Sequence, residues 1–482
     1  MKNYLFLLMT LLTVSFSSTS KTYAQSPLPT PAQVEWQKTE TYAFIHFGQN
    51  TFNDLEWGYG DADPKNFNPT QLDCEQWVRV LKEGGMKAVI ITAKHHDGFC
   101  LWPSKYTDYT IAASPYKDGK GDIVGELAAA CRKYGLKFGV YLSPWDRHQA
   151  FYGKPEYIEY FKNQLTELLT QYGEIFEIWL DGANGGDGYY GGAHEKRTID
   201  RRNYYKFDEL FALIHKLQPN AIIFSDAGPG CRWVGNEKGI AGETNWSFLR
   251  AGEVYPGYPN SSELTTGHAD GTQWVPAECD VSIRPGWFYH EKEDSKVRTP
   301  QGLFDLYLKS VGRNATFLLN VPPTKEGLIH PIDAASLAQF NVMKTNAFAD
   351  NRLKGAKIKT SSVMSKAVKG ENVIDSDFDT YWSPSEKDAK KEIKIKLSKK
   401  TKINYLMLQE YIPKGQNVEK FFVEYRNSAG HLASLPTMEQ TTTIGYKRIL
   451  PLQTIETDEI IIRFVSSRPN IYISEIGAYF YE

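Results

Sequence analysis

Cysteine is scarce. The chain holds five in 482 residues, Cys74, Cys100, Cys131, Cys231 and Cys279, far apart and with no Cys-x-x-Cys pair. An odd, scattered set argues against a disulfide framework and against a zinc site. Long apolar runs are missing too. The stretch around residues 4 to 16 in "MKNYLFLLMTLLTVSFSSTSKTYAQS" falls short of the roughly 20 residues a membrane span needs, and no later segment matches it. A Lys near the start, that apolar stretch and small or polar residues up to "YAQ" are the layout of a secretory signal. Residues 1–25 are therefore expected to be cleaved off near Ala24 or Gln25, leaving a secreted or periplasmic protein with no membrane span. No cysteine lies near that point, which argues against a lipid anchor there. Charge of one sign is lacking as well: a formal net charge of −2 leaves no electrostatic footprint for nucleic acid.

Aromatics are abundant, with 11 Trp and 29 Tyr; their faces suit sugar rings, and they also fill cores. From about residue 40 to 345 the chain repeats one rhythm of apolar run, polar loop and helical pattern. Strands are expected at 41–48, 86–96, 136–144, 174–182, 220–227, 272–280 and 315–323. In the helical segment "GDIVGELAAACRKYG", Ile123, Leu127 and Cys131 recur every fourth residue, and Gly84, Gly135 and Gly173 are placed as C-caps. Near-continuously apolar strands alternating with helices imply a parallel sheet buried on both faces. A closed (β/α)8 barrel over residues 26–350 fits better than a doubly wound sheet, because no glycine-rich nucleotide loop follows the first strand. Its eighth strand has to lie between 226 and 272, where "IAGETNWS" is the hint.

After residue 350 the texture changes to short alternating runs such as "KEIKIKLSKK", "INYLMLQEYI" and "EIIIRFVSS". With no helical pattern between them, residues 351–482 read as an antiparallel β-sandwich.

A barrel places its active site at the C-terminal ends of its strands. There the runs end on His46, His95 and His96, Tyr141 with Ser143, Asp181, Asp226, Glu278 and Asn320. Asp181 closes the apolar run "EIWLD" and is followed by "GANGGDGYYGG". The glycines oppose a helix that Asp181 would merely cap, and leave space over the carboxylate. A fixed, partly desolvated carboxylate facing open space is what a glycosidase nucleophile requires. Retaining cleavage then needs a second, protonated carboxyl about 5 to 5.5 Å away. Candidates are Asp226, Glu237, Glu243 and Glu278, with Glu237 favoured because Trp233 and glycines surround its loop and burial raises a Glu pKa. Metal-dependent barrel hydrolases carry His-x-His on the first strand. Adjacent His95 and His96 would point to opposite faces of a regular strand, so no metal site is expected, and hydrogen bonding to ligand hydroxyls is.

The motifs "FIHFG", "EWG", "KHHDGFCLW", "GVYLSPWD", "WLDG", "RWVGNE" (placed after the fifth strand) and "LLNVPP", in this order from about 40 to 345, resemble glycoside hydrolase family 29, the α-L-fucosidases. "RWVGNE" with "FNDLEWG" resembles the subfamily restricted to α-1,3/1,4-linked fucose on branched glycans. The resemblance implies retaining hydrolysis of a fucosylated oligosaccharide or glycoconjugate, with Asp181 as nucleophile, Glu237 as acid/base and no cofactor required. It implies fucose contacts from His46, Glu56, Trp57, His95 and His96, and more faintly from Tyr141 and Trp287. A glycan-binding protein with an inactive barrel is the competing reading. In the C-terminal region, "VIDSDFDTYWSP" resembles galactose-binding-like (discoidin-like) sandwiches. There Asp375, Asp377, Asp379 and Trp382 are candidates for a sugar site, a structural calcium site or an anchor for the first strands.

Overall fold

The computed structural model describes residues 26–482, so the expected signal segment lies outside the described residues. Eight parallel strands close into a barrel: β1 Thr41–Ile45, β2 Ala88–Lys94, β3 Lys137–Leu142, β4 Glu177–Trp179, β5 Ile222–Ser225, β6 Cys231–Trp233, β7 Ala277–Ser282 and β8 Ala315–Asn320. β8 pairs back onto β1, with Thr41 opposite Phe317. Closure leaves no open sheet edge.

Short helix α1, Pro31–Gln37, sends Trp36 to the barrel floor. The outer helices are α2 Cys74–Glu83, α3 Ile123–Tyr134, α4 Glu156–Gln171, α5 Phe207–Leu217, α6 Pro300–Ser310 and α7 Pro331–Ala347. Asp73 and Asp122 cap α2 and α3 by accepting the backbone N–H of Gln76 and Gly125, as short polar side chains do at N-termini. Gly135, at φ 75°, ends α3 in the left-handed region that only glycine enters freely.

Inside the barrel the two-residue period of a strand decides what reaches the mouth. On β1, Tyr42 and Phe44 face inwards while Ala43 and Ile45 face the helices; the next inward step is His46. β4 runs from Glu177 through Trp179 to Asp181, and β5 from Ile222 through Phe224 to Asp226. Each row starts as barrel filling and ends on a polar group.

This period corrects two expectations. Glu278, expected on the rim, lies at the bottom of its row because β7 begins at Ala277 rather than Thr272. It is fully buried and accepts hydrogen bonds from Tyr42 Oη and, at 2.7 Å, Trp179 Nε1. Beside it Glu177 Oε2 accepts from Trp36 Nε1 at 2.7 Å. Burial pushes both carboxyls above their usual range, and their hydrogen bond to each other requires a proton on one of them. Glu177, Cys231 and Glu278 are the three side chains spaced to share an ion among the described residues, but indole and phenol donors already occupy both oxygens of Glu278 and one of Glu177, whose other oxygen faces the Cys231 thiol. The eighth strand is β6, not "IAGETNWS", which is irregular. The rhythm hides it because a five-residue turn, not a helix, joins β5 to β6. A Cβ on Gly230 in that turn would lie 2.5 Å from Ile223 N. The "RWVGNE" segment thus belongs to the sixth strand and its loop, not the fifth.

The C-terminal strands are β9 Lys357–Thr360, β10 Glu392–Glu410, β11 Lys420–Arg426, β12 Leu432–Ser434, β13 Arg448–Val465 and β14 Ile473–Tyr479. They pair antiparallel in the order β9-β10-β13-β11-β12, with β14 on β10. "KEIKIKLSKK" and "INYLMLQEYI" are one strand, β10, whose pairing with β13 shifts register between Lys396 and Thr401 and again between Ile403 and Tyr405. Such bulges bend a strand. The first half of β10 pairs with β9 and the second with β14.

Trp382 is fully buried among Ile393, Ile395, Leu406 and Phe464, with Nε1 donating to Ser362 O at 2.9 Å. It offers no face to a sugar. Asp375 and Asp377 accept the N–H of Asp377 and Asp379, each at 3.0 Å, and the three carboxylates do not converge as ion ligands. Trp382 thus anchors the sandwich core. Trp382→Ala is expected to cost about 3–5 kcal/mol, read as a lower denaturant midpoint for the transition that exposes the sandwich core.

Candidate active site

The inward rows end around a cavity of about 300 Å³ at the C-terminal mouth. Three histidines form one wall. β2 stops at Lys94, so His95 and His96 lie in the turn beyond it; both line the cavity, with rings 4.1 Å apart. His96 Nδ1 sits 2.7 Å from Ser143 Oγ, and His46 Nδ1 sits 2.8 Å from Asn320 Oδ1. Asn320 Nδ2 donates to Ser282 Oγ and Trp287 O, so Oδ1 receives the His46 proton and Nε2 is left as an acceptor. Burial drives all three imidazoles far below their usual pKa, His46 and His96 to about 3. Neutral rings of this kind give and take hydrogen bonds from hydroxyls without adding charge.

Asp181 emerges from β4 with both oxygens occupied. Ala183 N–H donates to Oδ1 at 2.7 Å and Tyr141 Oη to Oδ2 at 3.0 Å; His96 Nε2 is 3.8 Å from Oδ2. Burial raises its pKa, while these two donors oppose the rise. Tyr141 is itself fully buried and stacks on Trp179. The structure places it beneath the carboxylate rather than on the cavity wall. Gly182 answers to a close approach: a Cβ there would lie 2.1 Å from Asp226 Oδ2. The later glycines shape backbone instead. Gly185, Gly191 and Gly192 have φ of 102°, 68° and 95° around a small hairpin that pairs Gly186–Gly188 with Glu195–Arg197.

Of the four candidates for a partner carboxyl, two reach the cavity. Glu243 turns away to the sandwich, accepting Gln440 N–H at 2.7 Å, and Glu278 lies deep in the barrel. Asp226 accepts Gly257 N–H at 2.7 Å and is pushed to about 7 by burial and the charge of Asp181. Glu237 lines the cavity with Oε2 accepting from Trp287 Nε1 at 3.4 Å; burial raises its pKa, the indole donor opposes the rise, and the charges of Asp181 and Glu56 add to it. A further cavity carboxyl, Asp280, escaped the sequence reading. It sits one inward step above Glu278, held by Trp233 Nε1 at 2.9 Å, and burial pushes its pKa well above the usual carboxylate range. The alternation within "AECDVS" is the signal that finds it. Arg201 also lines the cavity, and no sequence pattern marks it.

Glu56 joins two rims: it accepts Trp287 N–H at 2.8 Å, Phe288 N–H at 3.2 Å and His290 Nε2 at 2.7 Å. Trp57, half exposed at 52%, stands edge-on to His96 at 5.1 Å and keeps a free face at the mouth. Arg147 fixes this rim by donating to Trp57 O at 2.9 Å, Gly58 O at 2.8 Å and Asp187 O in the hairpin at 2.7 Å. The segment after Asp181 thus buttresses the loop carrying Trp57. His46, Glu56, Trp57, His95, His96, Asp181, Glu237 and Trp287 all meet in one cavity.

A family model for α-L-fucosidase matches residues 26–346. The chain belongs to the α-L-fucosidase family. Its sandwich matches the F5/8 type C domain over residues 357–476. Alpha-L-fucosidase 1 of Arabidopsis thaliana is 44% identical over 458 residues, covering 94% of this chain and 87% of that protein. A crystal structure of a glycoside hydrolase 29 family member from an unknown rumen bacterium superposes with a TM-score of 0.85 at 45% identity, covering 95% of this chain and 78% of the other. A Ruminococcus gnavus family 29 fucosidase in complex with fucose gives 0.84 at 35% identity, covering 97% and 98%. In an α-L-fucosidase the chemistry at stake is glycosidic cleavage, for which the cavity holds several carboxyls in unlike environments.

Proposed function

We propose that the chain is a retaining exo-α-L-fucosidase, removing terminal α-1,3/1,4-linked fucose from branched glycans through a covalent fucosyl-enzyme intermediate. The observation that carries the reading is the contrast between two carboxyls in one cavity. Asp181 has two donors to hold it as a carboxylate. Glu237 is pushed towards its protonated form by burial and by neighbouring negative charge. Burial raises the pKa of both carboxyls; what differs is that Asp181 meets two donors, whereas Glu237 meets one indole N–H and the negative charges of Asp181 and Glu56. Unlike surroundings of this kind support assigning the nucleophile to Asp181 and the acid to Glu237. Asp181 attacks the anomeric carbon while Glu237 protonates the leaving oxygen, and Glu237 then deprotonates the water that releases fucose. Neutral His46, His95 and His96 are placed for the sugar hydroxyls. The α-1,3/1,4 preference rests on "RWVGNE" and "FNDLEWG", and export rests on the N-terminal signal pattern.

The test is hydrolysis of a chromogenic α-L-fucoside and of a Lewis-type trisaccharide, with NMR of the first-formed sugar. Cleavage of both with α-fucose appearing first is expected. Cleavage of neither leaves a glycan-binding barrel, and β-fucose appearing first means inversion. Activity is expected to survive a chelator unchanged; loss on chelation would establish the metal-dependent alternative.

Tyr141→Phe removes one hydrogen bond to a charged group, worth about 1.5–3 kcal/mol. That corresponds to a fall of roughly 10- to 100-fold in kcat/KM. The donor holds the Asp181 pKa down, so its loss raises that pKa. The acid limb of the pH–activity profile then moves to higher pH. An unmoved acid limb would separate Tyr141 from Asp181.

A further inference from the structure

The loop between β6 and β7 carries Glu237, and it does not rest on the barrel alone. We infer that the C-terminal sandwich is a positioning scaffold for the acid/base loop, acting through the buried side chain of Gln416; the inference rests on Glu237 being the acid/base.

Glu237 lies in an arc pinned at both ends. Val234 N–H donates to Glu278 O at 3.0 Å, and Ala241 N–H donates to Lys309 O at 3.0 Å. The carbonyl of Ala241 accepts from Arg313 Nη1 at 3.0 Å, and the same guanidinium grips Glu439 of the sandwich at 2.6 and 3.1 Å. Two residues beyond Ala241 the loop meets the sandwich directly. Glu243 Oε2 accepts Gln440 N–H at 2.7 Å, and Asn245 N–H donates to Thr443 Oγ1 at 2.8 Å. Gln416 then pairs with the loop backbone as a neighbouring strand would: its Nε2 donates to Asn245 O at 2.9 Å and its Oε1 accepts Ser247 N–H at 2.7 Å.

Gln416, Asn245, Ser247 and Thr443 are all essentially excluded from solvent. A buried polar contact is expensive to leave unmade, so the loop has one hydrogen-bonded seating rather than several. The proton that Glu237 delivers has to arrive at the leaving oxygen, and a misplacement of about 1 Å far from the reaction can cost roughly 100-fold. Gln416 touches neither substrate nor Glu237; it acts through the Asn245–Ser247 backbone.

The experiment is a leaving-group series. Aryl α-L-fucosides of increasing leaving-group pKa are compared in the full-length wild type, Gln416→Met, Glu439→Gln and Glu237→Ala, all at a temperature where each is folded by circular dichroism. A good aryl leaving group needs no acid, and a poor one does. Gln416→Met is expected to keep kcat/KM on the most activated fucoside and to lose roughly 10- to 100-fold on the least activated. Its basic pH limb should shift, and Glu439→Gln should give the same trend, smaller. Aryl aglycones keep sugar recognition at the mouth out of the comparison. A parallel loss across the series, or none, with a lowered Tm means that the sandwich only stabilises the fold and overturns the inference. A steep series in Glu237→Ala beside a flat one in Gln416→Met removes the inference alone; a flat series in Glu237→Ala removes the assignment of Glu237 and the inference with it. Should Gln416→Met fail to fold, Glu439→Gln decides by the same slopes.

Discussion

Asp181→Ala is expected to lose roughly 10⁴-fold or more in kcat/KM on every α-L-fucoside, whatever the leaving group, as removal of a nucleophile from a catalytic unit does. Without the carboxylate no fucosyl-enzyme can form, and a better leaving group does not replace it. The space left below the sugar lets a small anion enter. Azide should therefore restore turnover and give β-L-fucosyl azide, because it attacks the face Asp181 occupied. A second readout follows from electrostatics. The charge of Asp181 helps hold both Glu237 and Asp226 above their usual pKa range, with Asp226 at about 7. Its removal should lower both, which carboxyl-labelled NMR titration can follow. Activity within tenfold of wild type, or α-fucosyl azide as the product, would move the nucleophile elsewhere, to Asp226, whose carboxyl lies against Gly182.

How far the sequence carried the site is decided by what kind of signal each residue leaves. Asp181 and His46 were legible because each ends an inward row of an apolar strand, and the same period explains why Glu278 misled. "TQWVPAECD" looks like one strand ending on its acids. Residues 273–274 in fact pair with Phe248–Leu249, and β7 starts only at Ala277, which moves Glu278 to the floor and brings Asp280 to the mouth. β6 was hidden for a related reason: a five-residue turn in place of a helix joins it to β5 and removes the strand-and-helix rhythm that would have marked it. Tyr141 looked like a wall residue because sequence places it at a strand end but says nothing of depth. The interdomain contacts of Gln416, Arg313 and Glu439 were invisible, since hydrogen bonds spanning 126 to 171 positions in sequence leave no local pattern.

Glu237→Ala is expected to split substrates that Asp181→Ala treats alike. On a Lewis-type trisaccharide, whose leaving sugar hydroxyl needs a proton, kcat/KM should fall by roughly 10²- to 10⁴-fold, the range for loss of a general acid. On an activated aryl fucoside the first step needs no proton, so kcat/KM should change little. There kcat falls instead, because water still lacks its base when the fucosyl-enzyme breaks down. Azide needs no base and should rescue that step, giving α-L-fucosyl azide, the anomer opposite to the one expected from Asp181→Ala. The pH profile carries the same assignment with a definite sign. Glu237 must be protonated to act, and burial together with the charges of Asp181 and Glu56 raises its pKa. Activity on the trisaccharide is therefore lost as pH rises through that raised value, and this limb should vanish in Glu237→Ala. A basic limb that persists unchanged in Glu237→Ala, or azide product only of the β form, would leave Asp226 as the remaining cavity carboxyl of the original four to carry the proton.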